Sequence, residues 1–231
     1  AAGIMANAVM DFKMTGGEIN GNASPATAGW PVGTGIFFGY GVKATLTGGS
    51  ITNNTAEQNG AGVMVGHNDK ADHCTVNITG DTEIKNNHGG IGGGVYVASD
   101  AECSISGNTK IENNTTGTTV WSTAPSGGGI AVIAKGVLNI SENVSIQNNQ
   151  AVKYGGGIYS NGTVEINGTN VMISGNKAEH GGGILGDGNS NTTITGNVTI
   201  SNNTAEVMTD TTNIYGGGGC FHSGSTATLS G

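Results

Sequence analysis

The stretch Gly155-Gly-Gly-Ile-Tyr-Ser160 decides the fold, because variants of it recur along the chain. The related stretches are residues 33–38, 60–65, 92–97, 127–132, 181–186 and 217–222. Self-similarity at a roughly constant spacing is the sequence signature of a repeat architecture, in which units too small to fold alone stack on one another. The chain is therefore predicted to be a repeat array.

Two short apolar signals precede each glycine run in a fixed order. The first is an apolar residue flanked by Thr, Ser or Asn, which recurs every 26 to 35 residues at Met14, Leu46, Ile78, Ile105, Ile140, Ile166, Ile194 and Leu229. The second is the pattern Ile-x-x-Asn, which begins at Ile19, Ile51, Ile84, Ile111, Ile146, Ile173 and Ile200. Apolar and polar residues alternate within each signal, which is the period of a strand. No stretch has the period of a capped helix.

Three short strands per unit, joined by turns and stacked in register, describe an all-β solenoid. We predict a right-handed, single-stranded parallel β-helix of about seven to eight coils, with the hand taken from the preference of parallel crossovers. Residues 1–231 form one domain in this interpretation. Because the chain begins and ends in mid-pattern, we expect it to be a fragment of a longer surface protein, with the rest of the parent chain stacked at the open ends.

The Asn that closes the second signal is predicted to form an internal ladder along the rod. It recurs at Asn22, Asn54, Asn87, Asn114, Asn149, Asn176 and Asn203. Asn side chains stacked at the spacing of neighbouring strands can hydrogen-bond from coil to coil. On the outer face, the same register places Glu83 beside Lys110 and Lys85 beside Glu112, which would pair opposite charges.

Composition excludes several classes of protein. The chain contains 44 Gly but lacks the strict Gly-X-Y period of collagen, and 35% of its residues are hydrophobic, which is enough for a packed core. Its net charge is −8 and it has no Arg, which argues against a nucleic-acid partner. No apolar run reaches the length of a membrane span.

The repeats resemble those of polymorphic outer-membrane autotransporter passengers and of the related adhesin-like surface proteins of gut bacteria and archaea. The resemblance lies in the motif Ile-x-x-Asn-x-Ala, followed by Gly-Gly-Gly-Ile, at residues 51–56, 146–151, 173–178 and 200–205. This chain has Ile where those repeats often have Phe. The resemblance implies a parallel β-helix that acts in surface adhesion outside the cell.

No cofactor or metal is expected from the sequence. The three cysteines are Cys74, Cys103 and Cys220, and superposition of the repeats places Cys103 at the position of Val76 and Cys220 at that of Ile158, as buried hydrophobes. The loop 66–73 brings two His and two Asp close together, and Asp187 opens an oxygen-rich loop. Both are interpreted as solvated loops, because neither carries a full metal-binding pattern.

The glycine strand gives the candidate binding site. Strand alternation leaves one column pointing outward, at Phe37, Met64, Tyr96, Ala131, Tyr159, Leu185 and Phe221. Apart from Ala131, these residues are predicted to form the floor of an elongated groove, where aromatic faces suit sugar rings or an extended peptide. The alternative is that the protein's own loops, or another domain, cover this column. His180 and His222 border the same strand as binding-surface or packing residues.

These patterns predict a non-catalytic extracellular adhesin or glycan-binding segment of a microbial surface protein, with a glycan or a host or microbial surface protein as its partner. A polysaccharide lyase or glycoside hydrolase is the main alternative, although no carboxylate cluster emerges from the sequence. A purely structural stalk is the third. A regular ice-binding face is disfavoured, because its outward Thr column is flanked by Lys, Asn and Glu. Replacing Tyr96 and Tyr159 by Ala is expected to abolish glycan binding with little effect on stability.

Overall fold

A computed structural model describes residues 3–24, 34–67, 73–118, 124–206 and 215–230. None of the residues in these ranges is helical, and the strand pairs among them are parallel and in register from coil to coil. The predicted all-β parallel β-helix is therefore confirmed. Each coil contributes one strand to each of several columns, and every column runs along the rod.

The glycine runs lead into the first column of strands. In the described part of the chain this sheet has eight strands, which are β1 (Ile4–Ala6), β5 (Ile36–Phe38), β9 (Val63–Val65), β13 (Val95–Val97), β17 (Ile130–Val132), β20 (Ile158–Ser160), β23 (Ile184–Gly186) and β26 (Gly219–Phe221).

The two apolar signals form the second and third columns. The second column consists of β2 (Asp11–Met14), β6 (Lys43–Leu46), β10 (Thr75–Ile78), β14 (Glu102–Ile105), β18 (Val137–Ser141), the first halves of β21 (Thr163–Ser174) and β24 (Asn191–Ser201), and β27 (Thr226–Ser230). The third consists of β3 (Glu18–Asn20), β7 (Ser50–Thr52), β11 (Glu83–Lys85), β15 (Lys110–Glu112), β19 (Ser145–Gln147) and the second halves of β21 and β24. The two long strands join these columns into one sheet.

A fourth column of two-residue strands follows the Asn of each coil, and it was not predicted. Its members are β4 (Ala23–Ser24), β8 (Thr55–Ala56), β12 (His88–Gly89), β16 (Thr115–Thr116), β22 (Lys177–Ala178) and β25 (Thr204–Ala205). Gln150 bridges the two parts of this column by pairing with Thr115 and Lys177. The signal is weak in the sequence because two residues are too few to show alternation.

Rows of stacked aliphatic side chains fill the core. Ile78 pairs with Ile105 in the second column, and Ile84 pairs with Ile111 in the third, as the repeat alignment predicts. These four side chains are fully buried. Cys103 lies beside Val76 and is buried and free, which confirms its predicted place.

The predicted Asn ladder is present and continuous. The main-chain N–H and the side-chain amide of Asn87 both donate to Oδ1 of Asn114, at 3.0 and 2.9 Å, and Asn114 donates in the same way to Asn149. The amide of Asn114 also donates to the carbonyl of Ile84, at 2.9 Å. Asn87 and Asn114 are fully buried, and each uses both N–H groups of its amide in a place where an unmade bond is costly.

In a run of three consecutive glycines, such as Gly127–Gly129, each glycine has a separate role. Gly127 has a φ of 67°, a left-handed conformation that glycine adopts without strain. A Cβ on Gly128 would lie 2.5 Å from the main chain of Gln150, and a Cβ on Gly129 would lie 2.6 Å from the carbonyl oxygen of Gly157 in the next coil. The run therefore turns the chain and lets neighbouring coils approach closely.

Opposite charges pair across the third column as predicted. Lys110 lies 3.4 Å from Glu83, and Lys85 lies 3.3 Å from Glu112 and 3.0 Å from Glu83. The hydrogen bond from Lys85, together with the charge of Lys85 and the contact with Lys110, holds the pKa of the Glu83 carboxyl below its usual value. Because the side chains are partly exposed, each pair stabilises the fold by about 1 kcal/mol or less, and their main effect is on register.

We predict that Asn114→Ala destabilises the rod by at least about 2 kcal/mol, because it leaves the donors of Asn87 and the carbonyl of Ile84 buried without partners. The matched control is Asn113→Gly, at an exposed neighbour with a φ of 57°, where the change should stay within about 0.5 kcal/mol. Urea unfolding followed by circular dichroism measures both. Equal effects of the two variants would contradict the structural role of the ladder.

Candidate functional site

The outward column of the first sheet is where the sequence placed the binding site. Strand pairing confirms that Phe37, Met64, Tyr96, Ala131, Tyr159 and Leu185 follow one another in this column. Met5 begins the column in the first coil, opposite Phe37. The repeat alignment therefore gives the correct register over these coils.

The expected exposure of this column is wrong for most of its members. Phe37 and Tyr96 are each 2% exposed, and Met64 and Leu185 are fully buried. Tyr159 alone among the predicted column residues from Phe37 to Leu185 is half-buried. For the other residues of the column, the alternative prediction is correct, since the chain itself covers their side chains.

The segment before each glycine run covers the column. Its residues pair from coil to coil to form a covering column, made of Asn59, Ile91, Ser126, Tyr154, His180 and Tyr215. The turn at Gly92 brings this segment back over the sheet so closely that a Cβ on Gly92 would lie 2.9 Å from the Cβ of Tyr96. Ile91 packs against the core from the outside. The column is thus covered by a second, partly exposed layer and does not form the floor of a groove.

Phe221 was assigned to the wrong column, and so was Cys220. The last glycine run contains four glycines, and the left-handed turn falls on Gly216. Gly219 therefore pairs with Ile184, Cys220 with Leu185 and Phe221 with Gly186. A slip of one residue moves each side chain to the opposite face of the strand. Cys220 is consequently a half-buried member of the outward column rather than a replacement for Ile158.

The surface of this region is formed by the covering column itself, where its last three members are aromatic. We call Tyr154, His180 and Tyr215 the aromatic row. The ring centroids of Tyr154 and His180 are 5.4 Å apart with planes inclined by 27°, and those of His180 and Tyr215 are 5.4 Å apart at 26°. Tyr154 and His180 are half-buried and Tyr215 is 49% exposed. The rings stack because their residues occupy equivalent positions in successive coils.

His222 and Tyr159 complete the cluster. The ring of His222 lies edge-on to all three rings of the row, with centroids 6.3 to 6.4 Å away. Tyr159 stacks on Tyr154 with centroids 6.2 Å apart. Five ring systems from several coils therefore form one patch on the side of the rod.

Asp187 connects two of these rings. Its Oδ1 lies 3.2 Å from Nδ1 of His222 and accepts a hydrogen bond from the main-chain N–H of Gly188, at 2.9 Å. The hydroxyl of Tyr159 donates to Oδ2 at 3.5 Å, a long contact. The carboxylate thus orients His222 and remains partly exposed, which lets it accept further hydrogen bonds.

Burial shifts the protonation of this patch toward neutral forms. It raises the pKa of the Tyr159 phenol to about 12, with a smaller contribution from the Asp187 carboxylate. It also lowers the pKa of His180, whose Nδ1 is buried without a hydrogen-bond partner. At neutral pH the Tyr159 hydroxyl is a donor and His180 is uncharged.

Sequence reasoning named His180 and His222 but missed Tyr154 and Tyr215. The signal that could have found them is the residue immediately before each glycine run, which is aromatic in three successive coils. This position lies before the glycines, outside the part of the repeat that the glycine runs align.

The candidate cation loops do not form a metal centre in the described residues. Asp69 and Asp72 lie outside the described ranges. His67 is 5% exposed and packs against the rings of Phe37 and Tyr40. Across the described residues, no three His, Cys, Asp or Glu side chains are grouped to hold a metal ion.

Comparison with protein families gives one match. Residues 143–161 match the model of the Chlamydia polymorphic membrane protein repeat. This span holds the second signal at Ile146, the glycine run of residues 155–160, and both Tyr154 and Tyr159. The resemblance found in the sequence is thus confirmed for this repeat, and a repeat of this kind indicates a surface or outer-membrane protein.

No curated protein and no solved structure matches the chain. Over the ranges that the structure describes, no helix is long and apolar enough to cross a membrane.

We predict that acidification destabilises the fold partly through His180. Its pKa is lowered in the folded state, so the unfolded chain binds more protons once the pH falls to the usual histidine value of about 6.5. Stability is then fully present above this value and decreases below it. In His180→Phe, which keeps a ring in the row, the loss of stability between pH 7.5 and 5.5 should be smaller.

Urea unfolding at the two pH values provides the measurement. The matched control is His88→Phe, at an exposed position in the fourth column, which should retain the pH dependence of the unaltered chain. An unchanged pH dependence in His180→Phe would show that burial of His180 is not its source.

Proposed function

We propose that this chain is a non-catalytic adhesin or glycan-binding segment of a microbial surface protein, and that it acts outside the cell. The repeat match supports a surface protein. The observation that carries the binding role is the aromatic row with His222, Tyr159 and Asp187, a patch of partly exposed rings held on successive coils.

The chemistry of the patch suits a carbohydrate. A sugar has apolar ring faces and a rim of hydroxyl groups, so it is bound well by aromatic rings that also carry polar groups. In the row, each ring stacks on its neighbour, and Tyr215 is 49% exposed. A sugar packs against the exposed part of the row, and its hydroxyls reach the imidazole of His222 and the carboxylate of Asp187.

The scaffold makes this patch rigid. Tyr154, His180 and Tyr215 each precede a glycine run whose backbone is bonded to the next coil or the previous one, as in the bond of 2.9 Å from Gly155 N–H to the carbonyl of His180. Side chains that are already ordered lose little conformational entropy when a ligand binds. Repetition along the rod also favours an extended ligand over a compact one.

A polysaccharide-active enzyme is the second candidate, and the Asp187–His222 contact of 3.2 Å is the observation that favours it. A carboxylate that orients an imidazole is a common arrangement for general acid–base catalysis. A hydrolase would also need a second carboxylate facing the bond to be cleaved. The two proposals differ in outcome, since an enzyme changes its ligand and an adhesin does not.

We predict that Tyr215→Ala lowers binding on a glycan array by at least tenfold, or about 1.4 kcal/mol, because it removes the most exposed ring of the row. Since Tyr215 is 49% exposed, the melting temperature should change little. Met5→Ala, at a residue that is 54% exposed in the first coil, is the control and should bind as the unaltered chain does.

Undiminished binding by Tyr215→Ala would refute this site. Release of reducing ends or unsaturated products from a bound polysaccharide, abolished in His222→Ala, would favour the enzyme. The sequence-based choice of Tyr96 for this test is wrong, because its ring is buried and its truncation should destabilise the fold by about 3 to 5 kcal/mol.

A further inference from the structure

Asp187 brings a negative charge into the patch of aromatic rings. It lies in the turn that follows β23, where its main-chain N–H donates to the carbonyl of Ser160 in the preceding coil, at 2.8 Å. In the following coil Phe221 pairs with Gly186, which places His222 beside Asp187. The neighbours of the carboxylate along the rod are therefore defined on both sides.

The protein uses only part of this carboxylate. Oδ1 accepts a hydrogen bond from the N–H of Gly188, at 2.9 Å, and lies 3.2 Å from Nδ1 of His222. Among the described residues, Oδ2 has one hydrogen bond, the long one of 3.5 Å from the hydroxyl of Tyr159. A carboxylate oxygen has two lone-pair sites, and the side chain is 36% exposed. A ligand can therefore donate a further hydrogen bond to Oδ2.

The negative charge of Asp187 has no permanent cation beside it. Among the described residues, no Lys lies within ion-pair distance of the carboxylate, and the chain contains no Arg. The imidazole of His222 is charged only when it is protonated. Lys153 meets the patch elsewhere, with Nζ 5.9 Å from the centroid of the Tyr154 ring. That contact is of the cation–π kind, so the rings of the patch already attract an ammonium group.

A positively charged ligand group matches these surroundings. We propose that the patch binds a glycan that carries free amino groups, and that one protonated amine of this glycan donates to Oδ2 of Asp187. This inference rests on the proposed function, which assigns a glycan to the patch, and it adds the chemical class of that glycan. The carbon atoms of the sugar that bears the amine pack against the half-buried ring of Tyr159.

An ammonium group suits this position better than the other common substituents of a sugar. It has three N–H donors and no acceptor, and a hydrogen bond between two charged groups is about twice as strong as a neutral one. A hydroxyl donates to the same oxygen without a charge. An acetamide has a single N–H and adds a carbonyl oxygen that the carboxylate repels. A sugar acid would bring a second negative charge to a chain of net charge −8.

The rings next to Asp187 strengthen this preference. The hydroxyl of Tyr159 reaches the carboxylate, and its ring stacks on that of Tyr154 with centroids 6.2 Å apart. An amine at Oδ2 therefore lies close to aromatic rings that attract a cation and exclude part of the water around it. A lysine side chain carries the same group on a flexible chain, whereas a sugar amine is fixed to a rigid ring and loses less conformational entropy on binding.

Three oligosaccharides that differ in one substituent test the proposal on the full chain. They are oligomers of glucosamine, N-acetylglucosamine and glucose with the same linkage and the same length, which present an amine, an acetamide and a hydroxyl at the same carbon. Titration calorimetry at neutral pH should show that the glucosamine oligomer binds at least about tenfold more tightly than either of the others. High salt should reduce this advantage, because it screens the ion pair at a partly exposed carboxylate.

Asp187→Asn removes the charge and keeps an oxygen that accepts from Gly188. This variant should bind the glucosamine oligomer at least about tenfold more weakly and lose the preference for it over the glucose oligomer. Asp11→Asn, at an exposed residue of β2 in the second column, removes the same charge on another side of the rod and should bind as the unaltered chain does. Circular dichroism melts check that both variants fold.

The outcomes separate this inference from the proposed function. Equal binding of the three oligomers, or a preference for the amine that persists in Asp187→Asn, would overturn the inference and leave the glycan site in place. A glycan array without any bound glycan would refute both. Tighter binding of an oligolysine peptide than of the glucosamine oligomer would also overturn the inference, since the patch would then recognise a basic protein segment.

Discussion

The hydrogen bond from one ladder Asn to the next is the constraint on which this structure depends. The side-chain bonds of the ladder span 2.9 to 3.1 Å, so neighbouring coils must approach closely and keep one register. The third glycine of each run permits that approach, because a Cβ on Gly129 would meet the carbonyl of Gly157. Residues that neighbour the ladder Asn or the glycine run therefore recur at equivalent places in successive coils. The aromatic row consists of such residues, since each one directly precedes a glycine run.

Much of this architecture could be predicted from the sequence, because apolar and polar residues alternate within each signal. Each signal also pairs with the equivalent signal of the next coil. For example, Ile84 pairs with Ile111 and Val76 pairs with Cys103, as the repeat alignment requires. The alignment failed at Phe221, because a run of four glycines can be aligned in two ways. The backbone settles the choice by placing the left-handed turn on Gly216, and this conformation leaves no trace in the residue type.

The candidate site was harder to predict for a different physical reason. Alternation shows which face of a strand a side chain occupies, but it does not show what packs over that face. Tyr96 and Tyr159 share one column, yet the first is buried to 2% exposure and the second is half-buried. The segments that lie between the Asn and the glycine run have no period that would show from the sequence what they cover.

Most of the groups that hold the coils together carry no charge. The Asn amides do not titrate and the core is aliphatic, whereas the paired charges at Glu83 and Lys110 are partly exposed. Salt therefore screens these outer pairs and leaves the buried contacts between the coils unchanged. The titratable group whose pKa burial lowers, His180, lies instead in the patch on the side of the rod. A change of pH therefore acts on the surface patch at His180 and not on the Asn bonds that join the coils.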